Sequence, residues 1–178
     1  MLFVHSQILI LLVGLFVSTS SVAPTAQKIA DVQPEGCDFT KGYLDHFADE
    51  LHHQPMSTGY IIYYGGRTYL NFTGAKPRRL PPKHGEAEAR VSFWKSYLVT
   101  TREIDSARIK VICGGYRQTP IAELWLVPNG AAPPKLSPTL SVRDIKFRHG
   151  KLRNRDMFGE DDCHMVAGGA TSRCSDAP

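Results

Sequence analysis

The sequence predicts an α+β domain in two layers, a mixed sheet with two helices on one face. Two amphipathic helical stretches, residues 43–51 and 86–101, each precede an apolar run typical of a strand. A strand, helix, strand unit requires a crossover, so the strands predicted at residues 59–64 and 108–113 should be parallel. The run at 121–127 alternates apolar and polar residues, as a half-buried strand does, and should pair with its predecessor.

The first 26 residues contain no Lys, Arg, Asp or Glu, and residues 8–17 form an unbroken apolar run followed by mainly small residues. Such a run of about ten residues is too short to span a bilayer, which requires about twenty. It predicts a signal peptide over residues 1–26, cleaved between 20 and 26, and a mature chain without a transmembrane segment. An uncleaved anchor is the alternative.

What remains is about 150 residues, enough for one compact domain. An even number of cysteines in an exported chain favours disulfides. They permit three pairings, among them a short loop closed by the last two and a long loop closed by the first two. No CxxC or HxxxH spacing supports the alternative of a zinc site, and we expect neither metal nor cofactor. The cysteines are Cys37, Cys113, Cys163 and Cys174.

The first helix places apolar residues at i, i+3, i+4 and i+7, which defines a single buried face. They are Leu44, Phe47, Ala48 and Leu51. The carboxylates and imidazoles on the remaining surface are interpreted as its solvated side, with acid–base chemistry as the alternative. The next strand, residues 59–64, lacks polar alternation and is expected to be central and buried.

A long loop is predicted between that strand and the second helix, over residues 67–85. Loops of this length are usually functional or disordered in a compact domain. This one is rich in proline and basic residues, and we take Arg78, Arg79 and Lys83 as a candidate basic surface. Between the last two strands, residues 114–120 (GGYRQTP) are typical of a turn.

After residue 128 the composition changes. Residues 129–142 are predicted to be a Pro-rich linker, and residues 143–178 a basic, flexible tail with an edge strand at 144–148. Residues 143–155 hold six Lys or Arg against one Asp. Such a segment can bind phosphates, acidic polysaccharide or a membrane surface, or can simply be a solvated face.

The segments LDHFADELHHQP, GYIIYYGG, REIDSARIKVICGGY and IAELWLVP, in this order, resemble the C-terminal, OmpA-like domain of bacterial envelope proteins. The resemblance covers residues 43–127 and implies an OmpA-like domain over 36–128 in the secreted or periplasmic part of the cell envelope. Members hold peptidoglycan through the diaminopimelate of its stem peptide, with an Asp after the strand and an Arg on the second helix. The Asp pairs with the ligand ammonium and the Arg with its carboxylate.

Arg90 occupies the place of the helix Arg, and Glu123 that of a Glu in the last strand. The Asp is absent, since the corresponding position holds Thr68 or, shifted by one, Arg67. Because Arg67 would repel an ammonium, the resemblance implies a divergent member with an altered ligand. Alternatively, an acid brought from elsewhere to the space beside Arg90, Glu86 or Glu88 for example, could restore the clamp.

These observations predict an exported, non-catalytic binding module for peptidoglycan or another anionic envelope ligand. The alternative is a structural protein that meets a protein partner through residues 67–85 and has no cell-wall ligand. An enzyme is not expected, because we find no Ser/His/Asp set, no paired carboxylates in a plausible cleft and no phosphate-binding loop. A nucleic-acid partner is not expected either.

Overall fold

A computed structural model describes residues 23–34, 36–71, 76 and 78–153. Eight helices and strands follow one another in the described chain, together with two short 3-10 helices, Ser106–Arg108 and Val142–Asp144. In chain order they are β1 (Gln27–Val32), α1 (Cys37–His53), β2 (Ser57–Gly66), β3 (Tyr69–Asn71), β4 (Arg78–Leu80), α2 (Glu86–Thr100), β5 (Ile109–Arg117) and β6 (Ile121–Pro128).

The main sheet has four strands in the order β1-β6-β2-β5. Strands β2 and β5 are parallel, whereas β6 runs antiparallel to both β1 and β2. The predicted α+β fold with a mixed sheet is therefore confirmed, as is the parallel pair joined by α2. Alternate strand residues such as Tyr63 and Leu124 join both helices in one core, in which the rings of Trp94 and Tyr63 meet edge to face with centroids 5.7 Å apart.

Strand β1 was not predicted, and it lies before residue 36, where the sequence analysis begins the domain. Its sequence, QKIADV, shows no clean alternation because the pairing register shifts between Lys28 and Ala30. Such a bulge breaks the period of two on which a strand prediction depends. Only Val32 of this strand is fully buried.

The glycines predicted to form a turn after residue 113 instead lie inside β5, which continues to Arg117. Tyr63 pairs with Cys113 and Tyr64 with Gly115, so Gly114 is the extra residue of a bulge. A Cβ on Gly114 would lie 2.5 Å from the Tyr64 ring, and Gly115 has a φ of +91°. The first position needs glycine for space and the second for its backbone conformation.

After β6, residues 129–137 run back along the length of the sheet. Pro128 pairs with Ser57 at one end of β2, and the Ser137 backbone N–H donates to the Tyr64 hydroxyl near the other end, at 3.1 Å. Tyr64 is fully buried although it alternates with the helix-facing Tyr63. This segment therefore packs on the side of the sheet opposite the helices. The predicted edge strand at 144–148 is replaced by the 3-10 helix Val142–Asp144 and a single bridge at Arg148.

Several predictions fall on residues outside the described part of the chain. The apolar run of the signal peptide and residues 154–178, with Cys163 and Cys174, are among them. Neither described cysteine, Cys37 or Cys113, is a free thiol, and how the four cysteines pair stays a prediction. Among the described helices, none is both long and apolar enough to cross a membrane.

Candidate functional site

Arg90, the residue that the family resemblance marks as a ligand contact, is buried inside the protein. Its Nη2 lies 2.8 Å from Glu86 Oε1, and the two side chains are only 4% and 0% exposed. The Arg90 guanidinium also lies over the Tyr69 ring, 4.6 Å from its centroid. Residues four apart on a helix share one face, so the first turns of α2 bring this ion pair together. Arg90 is therefore closed to a ligand.

Both carboxylate oxygens of Glu86 are engaged. Oε2 accepts a hydrogen bond from the Lys83 backbone N–H at 2.9 Å, while Oε1 accepts from Arg90. Burial alone would lower the pKa of Arg90, but Tyr63, Glu86 and Tyr69 raise it above its usual value. Glu86 does lie beside Arg90, but it pairs with that arginine and does not offer a free carboxylate to a ligand. It completes the charge pairing of Arg90 and leaves none for a zwitterionic ligand.

The other residues of the predicted clamp do not converge on Arg90. Arg67 is exposed and Thr68 half-buried, and the Arg67 backbone N–H donates to the Arg117 carbonyl at 3.1 Å. Glu123 lies on the opposite side of the sheet, because its neighbours Ala122 and Leu124 are the residues that join the core with the helices. In this stretch it is Tyr69, one residue after Thr68, that contacts Arg90, through the face of its ring.

Glu123 belongs to a separate charged cluster on the sheet side away from the helices. Its Oε1 lies 2.9 Å from Arg117 Nη2 and 3.3 Å from Lys28 Nζ, and Oε2 accepts a hydrogen bond from the Trp125 indole N–H at 3.1 Å. The Arg117 guanidinium lies 3.6 Å from the centroid of the Tyr64 ring. Burial alone would raise the pKa of Glu123, but Arg117, Trp125 and Lys28 lower it below its usual value.

Because the folded-state pKa of Glu123 is lowered, its ionised form contributes stability at any pH above its unfolded-state pKa. That contribution is lost as the pH falls through the folded-state value. We therefore expect the free energy of unfolding to fall on acidification below the ordinary glutamate pKa of 4.5, and a Glu123→Gln variant to lose less over the same range. Chemical denaturation from pH 6 to pH 3 measures this, and parallel curves for the two proteins would contradict it.

The carboxylates on the outer side of α1 are held by a residue that the sequence analysis did not single out. Arg102 donates to Asp45 at 2.7 Å and to Asp49 at 2.5 Å, and the Tyr97 hydroxyl also donates to Asp45. Burial and Asp45 raise the pKa of Tyr97 to about 12. These contacts join α1 to the end of α2, and they neutralise carboxylates that acid–base chemistry would need.

The basic loop of the sequence analysis is divided between two environments. Arg78 and Arg79 are exposed on β4, in the short β3–β4 hairpin that forms inside the predicted loop. Neither makes an ion pair with any described residue. Lys83, in contrast, is 6% exposed, and its Nζ donates to the Lys151 carbonyl at 2.8 Å. Of these three cations, the two hairpin arginines are the ones exposed to a ligand.

The basic C-terminal segment lies against the end of the same loop. The Arg148 backbone N–H donates to the Pro82 carbonyl at 2.7 Å, and its side chain donates to the Pro81 carbonyl. The His84 and Phe147 rings stack with centroids 4.0 Å apart. The sequence did not predict these contacts, because partners such as Arg148 and Pro81 are 67 positions apart and no local pattern links them.

The class of protein that these features define is an α+β domain with a buried Arg90–Glu86 ion pair and exposed arginines on its β3–β4 hairpin. Within the described ranges, no group of three or more His, Cys, Asp or Glu could hold a metal ion. No protein-family model, curated protein or solved structure matches the chain.

Proposed function

We propose that this protein is an exported, non-catalytic binding module, on an OmpA-like scaffold, for an anionic ligand of the cell envelope. The observation that carries the proposal is the contrast between its arginines. Arg90 is buried and paired with Glu86, whereas Arg78 and Arg79 are exposed and unpaired among the described residues. Binding would have moved from the helix to the hairpin.

The closed state of Arg90 argues against the stem-peptide clamp of the family. A ligand carboxylate could reach Arg90 only by separating it from Glu86, and breaking a buried pair costs about 3–5 kcal/mol. The arginines of the hairpin present planar donors to solvent without that cost, and such donors match carboxylate and phosphate groups. Peptidoglycan, if it is the ligand, would be held by its anionic groups through the hairpin.

Co-sedimentation with purified, insoluble peptidoglycan tests this proposal. Each exposed ion pair contributes up to about 1 kcal/mol, so Arg78→Ala with Arg79→Ala, which removes two, should weaken association by up to about thirtyfold. The matched control is Lys41→Ala with Lys110→Ala, which removes the same charge from two exposed positions elsewhere. Wild-type protein that stays in the supernatant, or equal losses in both variants, would count against the proposal.

The alternative of a protein partner that binds through residues 67–85 uses the same hairpin. Cutting out this loop would not be a clean test, because it contains the buried Tyr69 and Lys83. The arginine pair of the preceding experiment serves better, since both residues are exposed. A partner captured by the wild type and by both variants alike would favour a structural role away from the hairpin.

A further inference from the structure

Two basic segments that are far apart in the sequence lie side by side in the fold. The first is the β3–β4 hairpin with its following turn, which carries Arg78 and Arg79. The second is the C-terminal segment 146–151, which carries exposed Lys146 and Lys151. The backbone bridge between Lys83 and Arg148 joins them, in parallel orientation.

The contact between the two segments is made by neutral groups and by the side chain of Lys83. The Arg148 backbone N–H bonds to the Pro82 carbonyl, the Lys83 ammonium to the Lys151 carbonyl, and Phe147 packs between His84 and Tyr116. Ile145, just before these residues, is 6% exposed and holds the segment to the domain. The C-terminal cations therefore have a defined place beside the hairpin.

The distance across this combined surface is limited by the chain. Arg79 lies four residues before Lys83, and Lys151 three residues after Arg148, so the two ends are at most about 30 Å apart along the backbone. Two described acids beside these segments are engaged: Glu86 pairs with Arg90, and Asp144 accepts a hydrogen bond from the Ser141 backbone N–H at 2.9 Å. The two segments together expose the cations Arg78, Arg79, Lys146 and Lys151.

We propose that the two segments form one composite surface that binds a linear polyanion, specifically an anionic polysaccharide with repeated carboxylate or phosphate groups. The inference rests on the proposed function and names the class of ligand for the same surface. A small anion would meet only one or two exposed cations, and exposed ion pairs are individually weak. A chain engages several cations after a single loss of translational freedom, which raises its effective affinity.

A bilayer of anionic lipids is the less favoured source of the same charges. Stable attachment to a membrane surface usually combines basic residues with inserted apolar groups or a lipid anchor. Val142, which is 57% exposed, is the large apolar side chain that stands out beside the composite surface among the described residues. One valine adds little insertion energy, so the charges are better matched by a hydrated polymer.

Fluorescence anisotropy with labelled oligogalacturonates of different lengths tests the composite surface. A long chain, able to span about 30 Å, should lose up to about thirtyfold in affinity with Lys146→Gln and Lys151→Gln together, and a similar factor with Arg78→Ala and Arg79→Ala together. A trimer should bind weakly and should not respond to the lysine changes. Added salt should weaken binding of the long chain most strongly in the wild type.

The outcomes separate the two proposals. If the long chain binds but Lys146→Gln with Lys151→Gln has no effect, the composite surface is wrong while the hairpin function stands. If the wild type binds no oligogalacturonate, or binds only vesicles with phosphatidylglycerol, the inference is overturned, and the peptidoglycan assay decides the proposed function alone. The Lys41→Ala, Lys110→Ala variant is again the control, and unchanged thermal unfolding of each variant excludes loss of the fold.

Discussion

Replacing Arg90 with alanine should lower the free energy of unfolding by about 3–5 kcal/mol, because it leaves the carboxylate of Glu86 buried and without its cation. Glu86 is 1% exposed, and the Arg90 guanidinium lies 2.8 Å from its Oε1. Urea denaturation followed by circular dichroism measures the change. If Arg90 were instead an open ligand contact, its removal would cost less than about 1 kcal/mol.

Two further variants make the test specific. Glu88→Ala removes a half-exposed carboxylate from the same turn of α2 and should change stability by less than about 0.5 kcal/mol. Glu86→Leu combined with Arg90→Met removes both charges and keeps the volume, which is often neutral or stabilising. Under the proposed function, this double variant should sediment with peptidoglycan to the same extent as the wild type. If the double variant lost this association but kept its stability, Arg90 would be a ligand contact, and the conclusion that it is closed to a ligand would be wrong.

Replacing Trp94 with alanine should destabilise the protein by about 3–5 kcal/mol, the range typical of large core truncations. Trp94 is 1% exposed and packs edge to face on Tyr63, at the contact between α2 and the central strand. The neighbours are held by two helices and the sheet, so they can collapse only partly into the space. Thermal or urea unfolding of the purified variant measures the effect.

Phe39 provides the matched control for Trp94. It is also aromatic and helical, but it is 63% exposed on α1. Phe39→Ala should therefore stay within about 0.5 kcal/mol of the wild type. Equal destabilisation by the two substitutions would mean that the core is not centred on α2 and the central strand.

The elements that the sequence predicted correctly are those whose periodicity is strong and local. The apolar stripe that contains Leu44 and Phe47 predicted α1, and the dense apolar run at residues 59–64 predicted the central strand. Strand β1 was not predicted because its bulge and its polar residues remove the alternation of apolar and polar residues that marks a strand. The β3–β4 hairpin escaped because each of its strands has only three residues, too few for a pattern to emerge.

The candidate site shows the same limit. Sequence position alone placed Arg90 on a helix, with Glu86 four residues before it on the same face. The sequence could not show whether Arg90 and Glu86 face solvent or the core. Their burial depends on residues elsewhere in the chain, such as Tyr69, whose ring lies against the Arg90 guanidinium. Nor could the sequence place Glu123 on the far side of the sheet from Arg90, which follows from the alternation of β6 once its core-facing residues are known.

By itself, the sequence determined the α+β class, both helices of the described chain and the parallel strand pair, because these follow from short-range periodicity and from the handedness of crossover connections. Only the tertiary structure decided that Arg90 is closed, that Lys83 is buried and that the C-terminal segment lies beside the hairpin. Those facts depend on contacts between residues tens of positions apart, and no local pattern records which distant groups will pair when the chain excludes water.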